Sequence, residues 1–199
     1  PLDSRLNYSC PWGISRRSTL DQTVVRCAMD PTISVSTVIR PHEDPRKVTE
    51  SVQALFPDWS PESVPDGQRF PNSRGEVELK GASGSLDVVL KIVREQRVLD
   101  TAFDAMAMSL VGGSTTFSLS RQSALAGKVS FVLDNAPLGG TMEVVVEGRD
   151  LGLWLEQQTW HGGRDSIPRS TGDELAMTEE GEPSEWFDSK GRKTIGDLD

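Results

Sequence analysis

The alternation between residues 33 and 39 sets the first limit on what this chain can fold into. Ile33, Val35, Thr37 and Ile39 alternate with Ser34, Ser36 and Val38, which predicts a strand with one face for a core and one for water. Pro41 stops the strand, and Glu43-Asp44-Pro45 follows at once. That triplet predicts a helix start. Asp44 is placed to cap the first amides, and Pro45 falls where a missing N–H costs nothing. Val48, Val52, Leu55 and Phe56 then share one face, and Pro57 ends the element. A one-faced strand leading directly into an amphipathic helix requires a layered body of sheet and helix.

The rest of the chain extends that pattern. Val77 and Leu79 alternate with Glu76, Glu78 and Lys80, giving a second strand with a wet face. Residues 81–85 read as a turn with Ser85 as a candidate helix cap. Leu86, Val89, Leu90 and Val93 form one helical stripe, and Leu99, Ala102, Phe103 and Met106 form another. The two are out of phase, which predicts a break near residues 96–98. Gly112-Gly113 closes the helical region. Thr115, Phe117 and Leu119 predict a third strand, Val129, Phe131 and Leu133 a fourth, and Met142, Val144 and Val146 a fifth. Residues 122–127 read as the tip of a hairpin. The order β-α-β-α(α)-β-β-β predicts an α+β fold, a largely antiparallel sheet with helices packed on one face.

Composition divides the chain in three. Residues 29–155 carry the periodic segments, with Leu151, Leu153, Trp154 and Leu155 as a last short packing segment. Residues 156–199 are rich in Gly, Pro, Ser, Glu and Asp and predict an acidic, mostly disordered tail. Trp186-Phe187 within that tail is a candidate docking motif. Residues 1–28 are polar and turn-rich, and read as a poorly ordered extension. Met29, the first methionine, directly precedes the first strand and is the expected native start. The competing reading is a basic arm using Arg16, Arg17 and Arg26.

The chain of 199 residues has a net charge of −9, which argues against broad, non-specific attraction to polyanions. Arginine nevertheless outnumbers lysine 15 to 6, so local bidentate contacts to phosphate are available in spite of the acidic whole. An acidic, lysine-poor surface also suits concentrated salt, where screening shortens electrostatic reach. Both cysteines, Cys10 and Cys27, precede Met29 and no CxxC pair exists, so a reducing, cytoplasmic setting is expected. No apolar run reaches the roughly 20 residues of a membrane helix.

With its elements placed, the chain resembles an archaeal family classed as RNA-binding and also labelled a predicted exosome subunit. The matching residues are Pro41, Glu43-Asp44-Pro45, Val48, Leu55-Phe56-Pro57-Asp58, Arg94, Gln96-Arg97 and Leu99-Asp100-Thr101-Ala102. Gln122-Ser123-Ala124, Gly127-Lys128-Val129 and Leu138-Gly139 complete the set, which spans roughly Met29 to Leu155. The resemblance implies a fold similar to that of ribosomal protein L5, and RNA as the ligand.

The residues themselves support binding better than catalysis. His42 and His161 lack the partners of a catalytic triad or zinc site, so no catalytic residue, metal site or cofactor is expected. Arg94 and Arg97 flank the expected helix break, where they serve either phosphate contact or capping and ion pairing with Glu95, Asp100 or Asp104. Arg121 and Lys128 bracket the expected hairpin tip with Gln122 and Ser123 between them. Such a tip suits the wide, shallow minor groove of structured RNA. Arg40, Arg46 and Lys47 complete the RNA-binding candidates. The glycine-serine turn at 81–85 offers amides to an anion but lacks a phosphate-loop motif. A protein adaptor with an acidic surface is the alternative, and the oligomeric state is left open.

Overall fold

The computed structural model describes residues 30–67, 75–133, 137–173 and 176–178. The arm residues Arg16, Arg17 and Arg26 and the Trp186-Phe187 motif lie outside them. Five strands, β1 (Thr32–Ile39), β2 (Val77–Ser83), β3 (Ser114–Ser120), β4 (Phe131–Val132) and β5 (Thr141–Glu147), form one antiparallel sheet ordered β2-β1-β5-β3-β4. The helices are α1 (Pro45–Gln53), α2 (Asp87–Gln96), α3 (Leu99–Ala107), α4 (Arg121–Leu125) and α5 (Leu151–Gln158), followed by a 3-10 turn at Gly162–Asp165. The fold is α+β, as expected.

Register turns the alternation into a core. Gly81, Val35, Val144 and Phe117 stand side by side across four strands, and so do Leu79, Thr37, Met142 and Leu119. All of these but the half-buried Gly81 are buried, whereas Ser34, Val38, Glu78, Lys80, Glu143 and Glu147 on the other face are exposed. The helices therefore have one side of the sheet to cover. Two buried hydroxyls are satisfied by the backbone, Thr37 donating to the Thr141 carbonyl at 2.8 Å and Thr115 to that of Met106 at 2.5 Å. The Trp59 indole donates to the Val35 carbonyl at 3.0 Å and lies against Gly81, where a Cβ would stand 2.7 Å from its nitrogen.

The structure departs from the expected order in two places. A helix, α4, stands where the hairpin tip was expected, and α5 follows β5. The first is too short to show periodicity; Ser120 caps it, accepting the Ser123 N–H at 3.4 Å. Its presence leaves β4 only two residues long. The expected break between α2 and α3 is made by Arg97, in the left-handed conformation at φ 61°. The expected turn from Gly81 is instead the end of β2, and Leu86 rather than Ser85 occupies the cap position of α2.

Packing also continues past residue 155, so that boundary falls inside α5. Arg164 is buried, donates to Asp100 at 3.0 Å and to Thr159 at 3.1 Å, and lies 4.7 Å from the centroid of the Phe103 ring. Arg169 approaches the same ring at 5.8 Å and pairs with Asp104 and, at 3.0 Å, with Asp173. Asp100 and Asp104 are one helical turn apart on α3, so two arginines hold the following chain against one helix face. His161 adds a 2.8 Å contact to Asp100.

Burial raises the pKa of Asp104 above the ordinary carboxylate value, against the opposing pull of Arg169. The folded state thus binds this proton more tightly than the unfolded chain, and stability from this group declines as pH rises through the folded pKa. Arg169→Ala removes the counter-ion and is expected to cost about 3 kcal/mol near neutral pH. The loss should shrink as pH falls and Asp104 protonates. Urea unfolding of both proteins between neutral and mildly acidic pH measures it; an equal loss at every pH would contradict the assignment.

Candidate nucleic-acid interface

The start of α1 organises the first group of candidate residues. Asp44 caps the helix by accepting the Arg46 N–H at 2.9 Å, and Pro45 holds the first position. Glu43, just outside, accepts the Arg40 N–H at 2.8 Å through Oε2 and faces the Arg121 guanidinium at 2.5 Å through Oε1. Arg121 also donates through Nε to the Gly139 carbonyl at 2.7 Å and through Nη1 to that of Val38 at 3.0 Å. One side chain therefore ties the end of β1, the start of α1, the head of α4 and the turn before β5.

This geometry corrects the expectation for Arg121. It is 3% exposed, so it cannot present its guanidinium to a phosphate. The reason is α4: Arg121 begins a helix packed against α1 instead of bracketing a projecting tip. Burial lowers its pKa and Glu43 opposes that shift, and a guanidinium so paired stays cationic.

Around this pair, α1, α4 and the turn at 137–140 leave a cleft of about 360 Å³ lined by Lys47, Val48, Gln122, Leu125 and Leu138. Leu138 is 90% exposed and Leu125 52%. Gln122 and Arg46 are exposed, and Arg40 is half-buried. Lys47 meets Glu50 at 3.2 Å, but both side chains are solvated and the pair holds little energy.

The second group lies at the end of α2. Gln96 clamps the backbone of Val129, donating to its carbonyl at 3.3 Å and accepting its N–H at 3.0 Å. This clamp brings Arg97 and Lys128, each one residue away from a clamped partner, to the same edge. Arg94 reaches across to the Gln158 carbonyl at 3.1 Å, so its contact is a backbone carbonyl of α5 rather than the carboxylates considered from sequence. The two groups are bridged by α4, whose five residues rise about 7.5 Å.

Elsewhere the chemistry is closed or acidic. The amide of Gly84 and the hydroxyl of Ser83 both donate to Asp58, so the anion-binding turn considered from sequence is filled by the protein's own carboxylate. The uncovered sheet face carries Glu76, Glu78, Glu143 and Glu147, with Lys80 paired to Glu78 at 3.1 Å. Among the described residues no group of three or more His, Cys, Asp or Glu is placed to hold a metal ion, and no helix is long and apolar enough to cross a membrane. Sequence reasoning missed Trp160, which is 55% exposed just beyond α5. Its helical spacing from Leu153 and Gln157 was the available signal.

The fold and the cation-bearing edge define an α+β protein with an open antiparallel sheet and helices on one side. No family model matches the chain. It is 32% identical over 140 residues to a UPF0201 protein of Sulfurisphaera tokodaii, covering 65% of this chain and 90% of that one. It is 33% identical over 138 residues to a UPF0201 protein of Sulfolobus acidocaldarius, with the same coverage. A crystal structure of a UPF0201 protein from Methanococcus jannaschii superimposes with a TM-score of 0.55 at 20% identity, over 65% of this chain and 99% of that one. Another, of an uncharacterized UPF0201 protein, gives a TM-score of 0.52 at 25% identity, over 63% of this chain and 90% of that one. The chain belongs to the archaeal UPF0201 family.

Gly139 and Gly140 both have positive φ, at 93° and 75°, but differ in their surroundings. A Cβ at Gly139 would meet Gln122 at an ordinary 3.5 Å, whereas one at Gly140 would lie 2.1 Å from the Arg121 guanidinium. Gly140→Ala is therefore expected to cost about 2 kcal/mol more than Gly139→Ala. The difference should largely vanish with Arg121→Ala in the background, as a double-mutant cycle by chemical denaturation would measure.

Proposed function

We propose that this chain is a non-catalytic RNA-binding protein that contacts structured RNA along the edge formed by α1, α4 and the end of α2. The observation that carries this reading is the segregation of charge. Arg46, Lys47, Arg94, Arg97 and Lys128 are all exposed on or just after these elements, while the open sheet face carries Glu76, Glu78, Glu143 and Glu147, with Lys80 paired to Glu78 and Arg40 at its border. Asp44, Glu50 and Glu95 share the cationic edge, but the first caps α1 and the second meets Lys47. Guanidinium and ammonium groups along a helical edge suit phosphates and 2′-hydroxyls of a folded RNA backbone.

The finer reading agrees with this. A body like that of ribosomal protein L5, serving as an accessory of an RNA-degrading exosome in the cytoplasm of an archaeon, needs backbone contacts more than base readout. An acidic exterior with arginine at the contact surface fits operation in concentrated salt. A second reading, docking of a protein partner, draws on the cleft between α1 and α4 with its exposed Leu125 and Leu138.

Titration of the full chain with a structured RNA across a salt series tests the proposal. Binding should weaken as salt rises, and each of Arg46→Ala, Arg97→Ala and Lys128→Ala should reduce the logarithmic salt slope by about one. A slope unchanged in the triple variant would reject the interface. Recovery of a protein partner after nuclease treatment, lost in Leu138→Asp, would favour the second reading.

A further inference from the structure

Trp160 leaves more than half of an indole in water at a place where the surrounding structure is firmly held. Leu153, Gln157 and Trp160 recur at helical spacing, so they line one face of α5 and the turn that follows. The Trp160 N–H donates to the Gln157 carbonyl at 3.3 Å, which fixes the backbone under the ring. Leu153 is itself 50% exposed. A cleft of about 500 Å³ opens here, closed across from α5 by Pro168 and by the stems of Arg164 and Arg169.

The charged groups of this cleft are already engaged. Arg164 and Arg169 are held by Asp100, Asp104 and Asp173, and Glu156 accepts the Thr171 N–H at 2.7 Å. What remains is a broad aromatic face, two apolar walls and the exposed carboxamide of Gln157, which both donates and accepts. Arg94 stands close by, since its guanidinium reaches the Gln158 carbonyl two residues before Trp160. Only part of its five-donor fork is used by that bond.

A flat ring and an amphoteric amide on one face, with a cation from α2 bonded to the backbone of Gln158 beside them, match the three parts of a nucleotide. The ring stacks a base of any identity, the amide bonds its edge and the cation takes the adjoining phosphate. The cleft also lies within the size range that admits a small planar ligand. We propose that Trp160 is a stacking platform for one unpaired nucleobase, with Gln157 on the base edge and Arg94 on the neighbouring phosphate. This rests on the RNA reading above and narrows it to structured RNAs that expose a base outside the helix.

The experiment compares two probes on the full chain at fixed salt: a hairpin RNA with an unpaired purine in its loop, and a fully paired duplex of the same stem. Binding is followed by fluorescence anisotropy of the labelled RNA. Trp160→Ala should weaken hairpin binding about tenfold and leave duplex binding nearly unchanged. Trp160→Phe should retain most of the hairpin affinity, and Trp160→Leu, apolar but without a ring, should behave like alanine. Because the residue is exposed, circular dichroism should show all three variants folded. Equal hairpin binding by wild type and Trp160→Ala would overturn the platform while leaving the RNA reading intact. Failure of the wild-type chain to bind either probe would overturn the RNA reading and the platform together.

Discussion

The buried pairing of Arg121 with Glu43 is the constraint on which the arrangement of the cationic edge depends. Its guanidinium reaches a strand end, a helix start and a turn from three separate parts of the sequence. Removing either partner would leave the other charge or carbonyls without compensation in a desolvated place. The pair therefore acts as a positioning device. It sets α4 against α1, and α4 in turn carries Gln122 at one end and leads to Lys128 at the other.

Much of the fold was legible because it rests on periodicity. The strand at residues 33–39, the capped helix at Asp44-Pro45 and the break near Arg97 all follow from spacing and from two prolines. The short helix at Arg121–Leu125 was not legible, since five residues give barely more than one turn and no repeating stripe. The packed chain beyond residue 155 was hidden for a different reason. It is held by arginine–carboxylate pairs and an aromatic ring rather than by apolar residues, and polar composition alone reads as a tail.

The candidate interface was legible as residue types but not as contacts. Lys47 and Gln122 line one cleft between α1 and α4, and the Gln96–Val129 clamp brings Arg97 near Lys128, whereas Arg40 lines a cleft with Glu76, Glu78 and Glu143 and Arg94 turns to α5. Arg121 was misplaced because charge in a loop and charge at the head of a packed helix look alike in one dimension. Trp160 was overlooked because it fell in the region read as a tail. For Arg121 the missing information was that a short helix brings the side chain inward, and for Trp160 that ordered chain holds the ring outward.

The close approach of Arg121 to Gly140 bears on how this lineage can drift. With the guanidinium filling the volume where a side chain would begin, the two positions cannot change independently. Any descendant that places a bulkier residue after the Leu138-Gly139 turn must first surrender or redirect the arginine, and with it the anchor of Glu43. A correlated exchange at these sites would thus mark members in which the neighbouring helix has been re-seated.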